Sequence, residues 1–274
     1  MKQRPQPVLP TAQFASLVYG ERGVQLDDPA ETFHEASRLY PNVAPERLDV
    51  LTELSRGAEL ARTTSRSGRT HDHRPAVALP SPLPLRIRLG EAIERRRSTP
   101  PGVLRPIRAR ELATILSCSY AAGGGADRQL RRPVPSAGAL YPLELYVVAQ
   151  AVGGIDPGVY HFSPFRHTLA RLRPLDRSRL RASLAEPGLA DEAAAIVVVT
   201  AVFWRSRFKY GQRGYRFALL EAGHLVQNAV LAATQLDLSA LPLGGFYDRG
   251  LDEIVGADGL DEASVHVLIL GGAP

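Results

Sequence analysis

Residues 194–203, AAIVVVTAVF, are apolar at nine of ten positions and rich in β-branched side chains. A short run of this kind reads as a strand covered on both faces, because a half-exposed strand would alternate apolar with polar residues. A little further on, Tyr215–Leu236 is a 22-residue segment rich in Ala and Leu. It is too long for a strand and is composed of good helix formers, so it reads as the buried helix against which that strand packs.

Working outward, strands are expected at Leu143–Ala149, Gly158–Phe162 and Ser264–Leu270, and short helices at Leu89–Arg97 and Arg110–Cys118. Strands and long helices without regular β-α alternation favour an α+β fold over a doubly wound sheet. Upstream, residues 1–62 read as largely helical, with apolar and Ala-rich stretches at Thr32–Leu39 and Pro45–Leu60. Residues 63–84, TTSRSGRTHDHRPAVALPSPLP, have little periodicity and read as a linker, which places a domain boundary near residue 84. The expected organisation is an N-terminal appendage and linker over 1–84 and a catalytic domain over 85–274.

Composition excludes several function classes. The chain has 274 residues, 45% of them apolar, enough for a sizeable core. Its only cysteine, Cys118, rules out an internal disulfide, and no paired-cysteine zinc spacing exists. The opening MKQRPQPVLP lacks the apolar stretch of a secretory signal, so a cytoplasmic location is expected. Glu221, His224, Gln227 and Asn228 interrupt the longest apolar segment, so no membrane span is expected. The net charge of +5 is spread along the chain; with no nucleic-acid-binding motif beside it, it suggests at most an anionic ligand.

The phosphate-binding patterns G-x-G-x-x-G and G-x-x-x-x-G-K-[ST] are missing, as is the G-x-S-x-G of many hydrolases. Gly123-Gly124-Gly125 reads as a mobile connection. His71-Asp72-His73 has metal-ligand residue types without a spacing that fixes a ligand sphere, and no metal is assigned there.

Four segments stand out. Arg95-Arg96-Arg97-Ser98 could hold a phosphate through guanidinium forks and a hydroxyl, or be a solvated helix end. Pro135–Pro142, PSAGALYP, has small residues that let a ligand approach the backbone, or is an ordinary loop entering a strand. Pro242–Phe246, PLGGF, could present two glycine amides to a flat heteroaromatic edge, or be a sharp turn after the buried helix. Arg207–Arg216, RFKYGQRGYR, places a lysine beside a tyrosine in a chain whose only other lysine is Lys2. Lysine can lose its proton when desolvated whereas arginine effectively cannot, so the exception points to proton chemistry.

Together and in this order, these segments resemble the flavin-dependent nitroreductase superfamily, specifically the SagB-type dehydrogenases that oxidise azolines in thiazole/oxazole-modified peptide pathways. The resemblance runs from about Leu89 to Leu270. It is carried by PSAGALYPLELYVV from Pro135, GVYHF from Gly158, KYGQRGYRFALLEAGHLVQN from Lys209 and LPLGGFYD from Leu241. DDPAETFHEASRLYP, from Asp27, is similar to the N-terminal region of these oxidases.

The resemblance implies a nitroreductase-like α+β fold with a central mixed or antiparallel sheet flanked by helices and a mainly helical N-terminal region. It implies a homodimer with FMN at the subunit interface. Arg96 and Ser98 would hold the FMN phosphate and ribityl chain. Pro135, Ser136, Ala137 and Gly138 would line the flavin, and Gly244 and Gly245 would lie by its reactive edge. Lys209 and Tyr210 match the family's catalytic pair, with Tyr210 as base and Lys209 assisting it, or the reverse. Pro100 stands where the superfamily often has a second basic residue, and the terminal Gly271-Gly272-Ala273-Pro274 lacks the basic residue many relatives carry. The implied substrate is an azoline-containing, ribosomally made peptide whose rings a partner cyclodehydratase forms. The alternatives are a flavin oxidoreductase acting on a small molecule and a noncatalytic scaffold subunit of a peptide-modifying complex.

Overall fold

The computed structural model of the protein describes residues 29–39, 66–124 and 130–272. The chain divides into two compact units, residues 1–43 and 44–274. In the first, helix α1 (Pro29–Ala36) falls in the stretch expected to be helical, and an Arg38–Glu35 pair at 2.9 Å follows its last turn. The helix expected over Pro45–Leu60 lies outside the described residues.

The second unit is built on a seven-stranded sheet. In chain order its elements are β1 (Ala76–Ala78), α2 (Leu89–Arg95), β2 (Ile107–Arg108), α3 (Ala109–Tyr120), β3 (Gly123–Gly124), β4 (Leu130–Arg131), β5 (Leu143–Ala149), β6 (Val152–Gly153), β7 (Gly158–Ser163), β8 (Thr168–Arg173), α4 (Arg177–Ala182), α5 (Gly188–Glu192), β9 (Ala195–Val202), α6 (Trp204–Tyr210), α7 (Arg213–Gln235), β10 (Ser239–Leu243), α8 (Asp248–Val255) and β11 (Glu262–Gly271). The large sheet runs β1-β8-β7-β5-β9-β11-β10, every neighbouring pair antiparallel.

The two central strands explain the unbroken apolar runs. Leu145 and Val147 of β5 and Val197 and Val199 of β9 face the core under α3 and α7. Tyr146, Val148, Ile196 and Val198 face the second core, with Leu180 of α4, Leu189 of α5 and Leu251 of α8. With successive side chains on opposite faces and both faces covered, alternation disappears from the sequence. Helix α7 buries Ala218, Ala222, Leu225, Val226, Ala229 and Val230, as its composition predicts.

The sequence reading needs three corrections here. The stretch expected to be a linker supplies β1, an edge strand whose Val77 pairs with Leu169, and its Ser67 bonds to the Leu140 carbonyl, so its described residues have partners that lie far away in the chain. Pro242 lies inside β10 and not in a turn; β10 is the other edge of the sheet, where a missing N–H is tolerated. Gly123 and Gly124, read as a mobile connection, pair with Arg131 and Leu130. Among the described residues, no helix is long and apolar enough to cross a membrane.

Candidate active site

Helices α6 and α7 meet in a tight corner. Strand β9 delivers Phe203, and α6 follows at once. A helix of seven residues has little stability of its own and depends on tertiary anchors. One is Arg205, buried, whose Nη1 donates to Glu144 Oε1 at 2.6 Å. Gly211 ends the helix at φ +54, and its N–H donates to the Arg207 carbonyl at 2.8 Å. Three residues later, a Cβ on Gly214 would lie 2.7 Å from the carbonyl carbon of Ser206, so the backbones of α6 and α7 touch there. Phe203 and Tyr215 stack across the corner with centroids 4.4 Å apart.

This crossing presents Lys209 and Tyr210, both half-buried, at the end of α6. Lys209 Nζ lies 5.4 Å from the Tyr210 ring centroid, and Phe217 of α7 meets that ring edge-on at 5.0 Å. The loop Pro135–Pro142 lies against the pair. Gly138 has φ +63, and a Cβ there would lie 2.7 Å from Tyr210 Oη and 3.1 Å from Lys209 Nζ. Glycine is required twice over: for the left-handed backbone and for the close approach. Ala139 and Tyr141 also have positive φ, at 53 and 46, a local strain that the surrounding bonds hold in place.

Those bonds converge on one buried acid. Tyr120 donates its hydroxyl to Glu221 Oε1 at 2.8 Å, and the Tyr120 Oη in turn accepts the Leu143 N–H at 3.1 Å. Ser136 also bonds to Glu221, and its Oγ accepts the Tyr141 N–H at 2.9 Å. The loop is thus held at both ends from α3 and α7. Burial pushes the Glu221 carboxyl up to about 7, even though Ser136, Tyr120 and the nearby Arg132 charge favour its ionised form. The Arg132 guanidinium lies over the Tyr120 and Tyr141 rings, 4.2 and 4.7 Å from their centroids. Arg205, Glu144, Tyr120 and Arg132 were not singled out from the sequence. Glu221 was noted only as an interruption of an apolar segment, which is the signal a core-facing acid leaves.

The remaining expected site residues lie elsewhere in the chain's bonding pattern. Arg96 and Ser98 follow α2, with Arg96 Nη1 3.3 Å from Ser98 Oγ, and the Thr99 N–H donates to Ala240 of β10 at 3.0 Å. Gly244 and Gly245 follow the far end of β10, where Gly245 accepts the Ala185 N–H at 2.9 Å. One strand therefore carries the arginine–serine hook near its start and the two glycines beyond its end. These bonds do not run to the Lys209–Tyr210 corner. At His71-Asp72-His73, His71 packs edge-on against His161 with centroids 4.8 Å apart, and Asp72 pairs with Arg166 at 2.5 Å. Burial, with the charges of His161 and Arg69, holds the His71 imidazole down at about 4.

A tyrosine hydroxyl and a lysine amine side by side, under backbone that carries no side chain, can exchange a proton with a molecule seated on the loop, as base in the deprotonated form and as acid in the protonated one, and orient its polar atoms. Residues 93–272 match the profile of the nitroreductase family. The chain belongs to this family. The match spans the loop, the Lys209–Tyr210 corner, Arg96, Ser98, Gly244 and Gly245. Among nitroreductase-family relatives, MJ1384 of Methanocaldococcus jannaschii, named as a nitroreductase, is 37% identical over 171 residues, covering 62% of this chain and 84% of that protein. The microcin B17-processing protein McbC of Escherichia coli is 33% identical over 147 residues, covering 52% of this chain and 53% of McbC. This chain thus matches about half the length of McbC. The E. coli microcin synthetase McbBCD complex with truncated pro-MccB17 bound contains a chain of the same fold, at TM-score 0.55 and 20% identity, covering 99% of this chain and 85% of that one.

Proposed function

We propose that this nitroreductase-family protein is an FMN-dependent dehydrogenase that oxidises azoline rings to azoles in a ribosomally made peptide. The observation that carries the reading is the Lys209–Tyr210 pair set against Gly138. A small-molecule reductase that receives hydride from a nicotinamide has no need of a base at this place, whereas aromatising an azoline requires removal of a ring proton. The likeness to McbC supports the same substrate class.

The residues present fit FMN. Arg96 has no carboxylate partner among the described residues and lies by the Ser98 hydroxyl, a donor set suited to a phosphate. No heavy atom stands within 4 Å of where a Cβ on Gly244 would be, so a flat ring can approach that backbone. At Gly138 the missing side chain instead leaves room for Tyr210 and Lys209 themselves. FMN, when bound, supplies a two-electron acceptor for the hydride from the ring's β carbon, with molecular oxygen as the final acceptor. Tyr210 Oη, as the phenolate, takes the α proton, and Lys209 holds the substrate and the charge that develops. With proton and hydride both gone, the ring is aromatic.

Exposed Leu89 and Ile93 of α2 and Leu219 and Leu220 of α7 support a homodimer in which each site is completed by a second copy. Residues 1–84 would serve to engage the peptide or a cyclodehydratase. A small-molecule flavin oxidoreductase is the second reading, favoured by the MJ1384 likeness.

The test uses purified protein, FMN and a heterocyclised peptide, with loss of two hydrogens per ring read by mass spectrometry. Lys209→Ala and Tyr210→Phe are each expected to retain FMN and lose activity by about 100-fold or more. Oxidation by both variants at the parent rate would overturn the assignment. Rapid NAD(P)H-driven reduction of quinones, with no azole formed, would favour the second reading.

A further inference from the structure

Three residues upstream of the sheet are tied to both halves of the site. Ser67 donates its hydroxyl to the Leu140 carbonyl at 3.0 Å and accepts Arg132 Nη2 at its own carbonyl at 2.8 Å. Gly68 lies against Phe165, where an added Cβ would be 3.0 Å from Cε2. The Arg69 N–H donates to Glu144 Oε1 at 2.8 Å, and its guanidinium pairs with Glu262. Both carboxylates are buried in the sheet.

Glu144 is the junction. Its Oε1 accepts from the Arg69 backbone and from Arg205 Nη1 of α6, while Oε2 faces His161 Nε2 at 2.8 Å. Glu262 is equally committed: Oε1 accepts from Tyr146 at 2.8 Å and Thr200 at 2.6 Å, leaving its other oxygen for Arg69. Arg205 stands one helical turn before Lys209, and Leu140 two residues after Gly138. The strap Ser67–Arg69 therefore holds the loop through Leu140 and Arg132, and the short helix through Glu144 and Arg205.

We propose that Arg69 is a positioning residue for Lys209 and Tyr210: by pinning the strap to Glu144 and Glu262 it sets where Arg205 anchors α6, and so how the pair meets Gly138. The proposal rests on reading Lys209 and Tyr210 as the catalytic pair. Its physical basis is that α6 is too short to hold its own place, and that its buried arginine shares one carboxylate oxygen with the strap.

The test uses the full chain loaded with FMN and carrying 3-fluorotyrosine at position 210, observed by fluorine NMR, alongside kcat and KM on a heterocyclised peptide. Arg69→Ala is expected to displace or broaden the resonance at position 210 and to lower kcat about tenfold, with KM and flavin content little changed. Arg69→Lys is expected to restore both. A folded Arg69→Ala protein with a parent-like resonance, or with a lowered melting temperature and unchanged kcat, overturns the proposal. If Arg69→Ala does not fold, Ser67→Ala carries the test: a smaller displacement of the same resonance is expected, and none overturns it. The NMR readout needs no substrate, so a parent protein inert toward azolines would defeat the functional reading while leaving the placement of Tyr210 measurable.

Discussion

Gly138 and Tyr210 touch: a methyl group on Gly138 would lie 2.7 Å from the Tyr210 hydroxyl. The contact joins a loop that precedes β5 to a helix end that follows β9, elements more than sixty residues apart that the central strands bring side by side. It ties the backbone expected to line the flavin to the group expected to take the proton.

Gly138→Ala is therefore expected to damage chemistry more than folding. The left-handed backbone costs a non-glycine residue about 1–2 kcal/mol, which a two-core domain can tolerate. The methyl group displaces Tyr210, and a misplacement on the order of 1 Å costs about 100-fold in rate. Melting temperature and kcat on a heterocyclised peptide, measured together, check this; parent-like kcat would refute it.

Glu221 gives the protein a pH signature. Its carboxyl ionises at about 4.5 when free and at about 7 in the fold. Between those values the folded state keeps a proton that the unfolded chain has released, so stability falls as pH rises through this window, by about 3 kcal/mol in all, and is level above it. Glu221→Gln cannot ionise and should lack that slope. Urea midpoints from pH 4.5 to 8 should show the parent's advantage over the variant shrinking as pH rises. A constant difference would show that Glu221 is ionised throughout.

At Gly214 two effects oppose each other. Alanine improves helix propensity by about 1 kcal/mol. Its Cβ would sit 2.7 Å from backbone of α6, and backbone cannot swing aside as a side chain can. Overpacking costs about 1–3 kcal/mol, so net destabilisation is expected together with loss of activity, because the crossing sets the angle of Lys209 and Tyr210. Denaturant unfolding checks the sign; a stabilised variant would mean that α6 is free to move.

Arg96→Ala should leave stability within about 0.5 kcal/mol, since the side chain has no ion pair to lose among the described residues. Flavin content after gel filtration should fall if, as proposed, this guanidinium makes a charge-assisted contact to the FMN phosphate. Undiminished retention would move the phosphate site away from this hook. The neighbours are poor substitutes: Arg95 pairs with Asp237, and Arg97 folds back onto the Glu94 and Arg96 carbonyls at 2.7 and 2.8 Å.

The central strands, the long helix and the placing of a lysine next to a tyrosine at 209 and 210 are all legible in the amino-acid order alone. Residues 194–203 and 215–236 are long enough, and uniform enough in composition, for local physics to dictate their state. The pair is legible because lysine is nearly absent from a chain that uses arginine almost everywhere. What holds the two side chains in place emerges only once the chain is folded. Residues 66–84 look like a linker because their polar groups have no local partners; those partners are Glu144, Glu262 and Leu140, dozens of residues downstream. Arg205, Glu144 and Glu221 leave no motif, since a buried charge is recognisable only once the groups that satisfy it are known. The register of β5 on β9 brings these groups together, and long-range pairing of that kind leaves no trace in any short window of sequence.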